Sequence, residues 1–125
     1  MSESSIILSA LPKTWLIDID GTIAKHNGHL HGEDKLLKGV LEFFAKIPAS
    51  DKIIFLTSRN QSYENQTISF MQKNNIRYDK IIFDLPFGER ILINDNKPSG
   101  LKTAHAINKE RDGDLVVNFI IDENL

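Results

Sequence analysis

Trp15-Leu16-Ile17-Asp18-Ile19-Asp20-Gly21-Thr22 runs three apolar residues into two carboxylates one residue apart, and then into a glycine. A short apolar run flanked by polar residues reads as a buried strand, here ending at Asp18. Four similar runs follow: Ile53 to Leu56, Lys80 to Phe83, Ile91 to Ile93 and Leu115 to Ile121. Between them lie segments with helical spacing. Residues 34–47 carry Leu36, Leu37, Val40, Leu41, Phe43 and Phe44, with Pro48 as the stop. Residues 63–74 form a second helical segment with Ile68, Phe70 and Met71 on its buried side, and residues 98–107 a third. Gly21 to Gly32 has no period and reads as a loop. Apolar strands alternating with helices predict an α/β fold, a parallel sheet covered on both faces. In open parallel sheets ligands bind past the carboxyl ends of the strands. Those ends read Asp18 to Thr22, Thr57-Ser58-Arg59-Asn60, Asp84, and Asn94-Asp95-Asn96-Lys97, which is where the polar chemistry of the chain is gathered.

A length of 125 residues suits one domain with its own core. Apolar residues make up 41% and charged residues 26%, against wholesale disorder. A net charge of −2 offers nucleic acid or an anionic membrane no broad attraction, so an anionic substrate has to be held by local groups or a metal. No cysteine is present, which excludes disulfides, thiolate catalysis and cysteine-bound zinc and suits a cytoplasmic location. Residues 1–10 carry Glu3 and a short apolar patch rather than the basic start and long apolar stretch of a secretory signal. The expectation is a loose arm over residues 1–12 and one domain over 13–125.

Two carboxylates at i and i+2 converge on one point when the chain turns at Gly21. One can attack phosphorus, and the other can protonate the leaving oxygen and then deprotonate water. Gly21 permits a tight turn and close backbone approach to phosphate, with Thr22 beside it. A bare Asp-Gly turn is the simpler reading. A calcium-binding EF-hand loop is excluded, because the glycine is fourth from Asp18 and a strand precedes it.

Asp-x-Asp-Gly-Thr after a strand resembles the first signature of the haloacid dehalogenase-like (HAD) phosphatase superfamily. The resemblance spans about residues 13–121. It implies a Rossmann-like three-layer sandwich around a central parallel sheet of about five strands. It also implies Asp18 as nucleophile and Asp20 as general acid/base, with the Asp20 carbonyl on the metal. Ile53 to Thr57 resembles the second signature, whose hydroxyl, here Thr57, binds a phosphate oxygen. Ser58 and Asn60 are further donors, and Arg59 can grip an anion through its planar fork. The same residues also suit a cap for the following helix. Ile91 to Pro98 resembles the fourth signature, with Asp95-Asn96 where family members often carry two aspartates. The implied metal is Mg²⁺, which takes oxygen ligands and offsets the crowding of Asp18, Asp20 and phosphate, with Asp18, Asp20, Asp95 and Asn96 as its ligands.

The family's phosphoryl-stabilising lysine varies in position. Arg90 lies roughly 15 Å from Asp95 along a strand, at the wrong edge, and Lys97 is the choice over Lys102. His26, His29 and His31 form a loop cluster that reads as a zinc site, a mobile flap or plain loop surface. Neither gap between signatures holds a cap domain, so the chain resembles the capless branch. An open site admits a bulky substrate, or a homo-oligomer supplies the missing wall. The function implied is hydrolysis of a phosphate monoester, a phosphorylated small molecule or carbohydrate such as a sugar phosphate or polysaccharide precursor, with no nucleic-acid or membrane partner. The alternatives are a phosphate-binding regulatory module without turnover and a receiver-like domain. Receivers carry their phosphorylated aspartate at the third strand, whereas this pair ends the first.

Overall fold

In the computed structural model, which describes residues 5–125, the strands β2 (Thr14–Asp18) and β3 (Lys52–Leu56) pair in parallel, Thr14 opposite Lys52 and Asp18 opposite Leu56. On the other side of β3 lies β4 (Lys80–Ile82), also parallel, with Ile54 opposite Lys80. The connections are the short helix α1 (Val40–Ala45) and the longer α2 (Glu64–Lys73). Such crossovers are what parallel neighbours require. Two further strands, β1 (Ile6–Leu8) and β5 (Phe119–Ile121), form a separate parallel pair.

The chain divides into two compact units. The larger comprises Pro12–Phe87 and Lys109–Val116, and the smaller comprises, among the described residues, 5–11, Gly88–Asn108 and Val117–Leu125. The core of the larger unit gathers Ile17, Ile19, Ile23, Val40, Phe43, Ile53, Phe55, Phe70 and Met71. Burial alternates along β3, where Ile53 and Phe55 are buried and Ile54 and Leu56 half-buried, and Leu16 on β2 stays 45% exposed. The Trp15 ring meets Phe43 edge-on at 5.6 Å, and its indole N–H donates to buried Asp51 at 2.9 Å. That satisfies the polar end of a large apolar side chain.

The α/β class and the parallel pairing agree with expectation. The single central sheet of about five strands does not. The five strands fall into sheets of three and two. Ile91 to Ile93, expected as a strand, is exposed coil, Ile91 at 83% and Ile93 at 90%. An apolar triplet states a preference for burial, and a strand needs a partner edge as well. Residues 98–107 form no helix. A turn holds their start, with the Gly100 N–H on the Lys97 carbonyl at 2.9 Å and Gly100 at φ 96°. Of the last expected strand only Phe119–Ile121 pairs. Its partner Ile6–Leu8 was expected within a loose arm, of which residues 1–4 lie outside the described part.

The first helix starts at Val40 rather than Asp34. Residues 35–37 run instead beside the loop after β2: the Lys25 N–H meets the Lys35 carbonyl and the Leu37 N–H the Ile23 carbonyl, both at 2.9 Å. Gly39 then turns at φ 86°, where a Cβ would lie 2.5 Å from the Leu115 carbonyl oxygen. Only glycine fits so close a backbone approach.

Candidate functional site

Beyond the end of β2 the backbone closes a tight turn. The N–H groups of Ile23 and Ala24 return to the Ile19 carbonyl at 3.0 and 3.1 Å, and the Gly21 N–H donates to the Ala24 carbonyl at 2.7 Å. Gly21 adopts φ 84°, in the left-handed region that the expected turn called for. Ile19 is fully buried between the two carboxylates and anchors the loop. Asp18 is half-buried, and its Oδ2 accepts the Thr22 hydroxyl at 2.9 Å. Asp18 is thus a strand-end carboxylate oriented by a hydroxyl four residues on.

A segment that no motif reading singled out packs on this turn. The Lys109 ammonium donates to the Gly21 carbonyl at 2.8 Å and to the Glu110 carbonyl at 2.9 Å. The Asp112 N–H also reaches the Gly21 carbonyl, and the Asp112 carboxylate accepts the His26 N–H at 2.7 Å. Burial pulls the Lys109 amine below its ordinary pKa, against the upward pull of Asp112, Asp114, Asp18 and Glu110. Its ammonium lies within electrostatic reach of Asp18. Sequence spacing held no signal for it, since it lies 91 positions from Asp18 (109 minus 18).

Asp20 faces a different group. The Arg59 side chain is fully buried, and its Nε and Nη2 donate to the two oxygens of Asp20, both at 3.0 Å. Nη1 and Nη2 donate to Asp34 at 3.0 and 2.7 Å, and Nη1 also reaches the Thr67 hydroxyl at 2.9 Å. A guanidinium carries five N–H donors, and these bonds use them all. Arg59, expected to grip an anionic substrate, instead ties two carboxylates and α2 together. Burial works against its charge, but the hydrogen bonds and charges of Asp20 and Asp34 outweigh it and hold the guanidinium above its ordinary pKa. Asp34 was read as the first residue of a helix, and its role depends on a partner 25 positions away.

The second strand end behaves as a cap as well. Thr57 is buried, and its hydroxyl accepts the Arg59 N–H at 3.0 Å. The Asn60 side chain accepts the Ser62 N–H at 2.9 Å at the start of the turn before α2, as in an N-cap. Ser58 donates to the Pro86 carbonyl at 3.2 Å.

Of the three loop histidines only His29 turns inward. Its side chain is 7% exposed and its ring stands edge-on to Tyr63 at 4.6 Å. Its Nδ1 lies 3.5 Å from Asp20 Oδ1, too far for a good hydrogen bond, and has no hydrogen-bond partner. Burial, then the charge of Arg59, pushes the imidazole below its ordinary pKa despite Asp20 and Asp34. His31 is exposed and His26 half-buried.

The larger unit thus gathers Asp18, Asp20, Gly21, Thr22, Thr57, Ser58 and Arg59, while Asp95, Asn96 and Lys97 belong to the smaller unit. There they are exposed, with the Asp95 N–H on the Asn94 side chain at 3.1 Å and the Asp95 carbonyl accepting the Thr103 hydroxyl. Among the described residues no helix is long and apolar enough to cross a membrane. No family model, curated protein or solved structure matches the chain.

Proposed function

We propose that the chain is a HAD-like, Mg²⁺-dependent phosphate-monoester hydrolase of the capless, Rossmann-like kind, working in the cytoplasm on a phosphorylated small molecule or carbohydrate. The observation that carries this reading is the Asp18 carboxylate. It stands at the carboxyl end of a parallel strand, oriented by Thr22, beside a left-handed glycine turn that the Lys109 ammonium touches.

An Asp18 oxygen attacks phosphorus in line with the leaving oxygen. The bond to the alcohol breaks, and an aspartyl-phosphate forms. Asp20 donates the proton the alcohol needs, then takes one from the water that attacks the phosphoryl group, which leaves as inorganic phosphate and restores Asp18. Lys109 takes the part expected of Lys97, because its positive charge lies beside the Gly21 turn. The ligands that the resemblance implies for the metal, the Asp18 carboxylate and Asp20 carbonyl of the larger unit and Asp95 and Asn96 of the smaller, all offer oxygen, the donor that Mg²⁺ takes. Bound there, Mg²⁺ supplies charge neutralisation for the phosphoryl group.

A second reading, a phosphate-binding regulatory module without turnover, draws on the grip of Arg59 on both oxygens of Asp20. In the hydrolase, Asp20 has to exchange that contact for the leaving group. Release of phosphate from p-nitrophenyl phosphate and a panel of sugar phosphates, with and without Mg²⁺, separates the two. The hydrolase requires Mg²⁺-dependent turnover by wild type that Asp18→Asn abolishes. Equal rates for the two proteins, or no turnover of any monoester alongside retained phosphate binding, refute it.

A further inference from the structure

Asp20, His29 and Asp34 each offer a ligand atom, all within 4.8 Å of one another. The group is more than an acidic cluster, because the unpartnered Nδ1 of His29 is buried and faces Asp20 Oδ1 at 3.5 Å. Two ligands of a tetrahedral zinc ion, each at about 2.0–2.2 Å from the metal, stand about 3.4 Å apart. The separation that is long for a hydrogen bond is thus close to that of a shared metal. The lowered pKa of His29 keeps its imidazole neutral and its lone pair available at neutral pH.

Arg59 does not fill the site. Each oxygen of Asp20 and Asp34 accepts a single bond from the guanidinium, whereas a carboxylate oxygen has two lone pairs. Two carboxylates and one guanidinium also leave one negative charge uncompensated, with the side chains of Asp20 and Asp34 only 16% and 2% exposed. Buried charge of that kind favours a cation. The imidazole nitrogen selects a borderline ion such as Zn²⁺ over Mg²⁺, which prefers an all-oxygen shell.

We infer that Asp20, His29 and Asp34 form a binding site for a zinc-class divalent ion, which takes the Asp20 carboxylate and not the Asp20 carbonyl proposed above for Mg²⁺. Its consequence, unlike the binding, rests on the hydrolase reading: zinc on the Asp20 carboxylate takes that group out of proton transfer and inhibits turnover.

The test is calorimetric titration of the metal-free full chain with Zn²⁺ at neutral pH in excess Mg²⁺. Wild type is expected to bind a single Zn²⁺. Removing an outer partner of a ligand costs roughly 10–100-fold in affinity, so His29→Ala, which removes a ligand itself, is expected to cost at least that. His26→Ala and His31→Ala leave binding unchanged. No zinc binding by wild type, binding that survives in folded His29→Ala, or binding that depends on His26 or His31 overturns the site. If circular dichroism shows that His29→Ala does not fold, nitrogen NMR on the wild type decides: a His29 Nδ1 resonance that moves with Zn²⁺ supports the site, and one that stays overturns it. Zinc binding without phosphatase activity sinks the hydrolase and leaves the site standing. Turnover without zinc binding does the reverse.

Discussion

Leu16-Ile17-Asp18 and Leu92-Ile93-Asn94-Asp95 follow the same sequence logic, an apolar run entering acidic residues, and they end differently. The first lies on β2, paired along its whole length with β3, and its Ile17 is buried. The second is exposed coil in the smaller unit. Their apolar content barely distinguishes them. What differs is the neighbour: Lys52–Leu56 supplies a ladder for Trp15 to Asp18, and no strand pairs with residues 91–93 among the described residues. Hydrophobicity proposes a strand, and a partner edge decides it.

The largest expected effects are on turnover. With Asp18 as nucleophile of the hydrolase proposed above, Asp18→Asn should lower kcat by at least roughly a thousandfold, with an unchanged melting temperature. Asp95→Asn should instead raise the Mg²⁺ concentration needed for half-maximal rate, by about tenfold or more. A magnesium titration of both variants checks this. An Asp95→Asn enzyme with wild-type magnesium dependence would mean that the second stretch differs from the first in function as well as in structure.

Next come paired truncations read by urea unfolding. Phe55→Ala, on the strand that partners β2, should cost about 3–5 kcal/mol. Ile93→Ala, at an exposed site, should fall within about 0.5 kcal/mol of wild type. A large loss at Ile93 would show that this residue is buried in solution and erase the contrast. Arg59→Met probes the site beside the first stretch. Stranding Asp20 and Asp34 without their buried partner should destabilise by about 3–5 kcal/mol, and Asp34→Asn in the same background should recover part of that loss.

The smallest effect concerns the ladder's margin. Asp79 Oδ2 accepts the Ile53 N–H at 2.8 Å, and this bond, helped by Lys52 and Arg77, holds the carboxyl below its ordinary pKa. A carboxyl depressed in the folded state stabilises fully above its unfolded pKa of about 3.9, and the stabilisation fades as pH falls through the folded value. Melting temperatures taken from neutral to strongly acidic pH should therefore fall less steeply below that point for Asp79→Asn than for wild type. Parallel curves would remove Asp79 from the account.

Local pattern was enough for some features. The strands ending at Asp18 and Leu56, helix α2, the parallel α/β class and the glycine turn at Gly21 were all legible in the sequence, because each depends on apolar spacing or on a residue's own φ preference. Other features depend on residues far apart in the chain, and local spacing carries no trace of them. Lys109 on the Gly21 carbonyl, Asp34 on Arg59 and the pairing of Ile6–Leu8 with Phe119–Ile121 are of this kind. The strand that residues 91–93 did not form belongs with them, since a ladder needs two edges and a sequence window shows one. Tertiary structure also decided what Arg59 does. Its fork matches any carboxylate or phosphate, and the two buried aspartates beside it, one of them brought by the late start of α1, took all five of its donors.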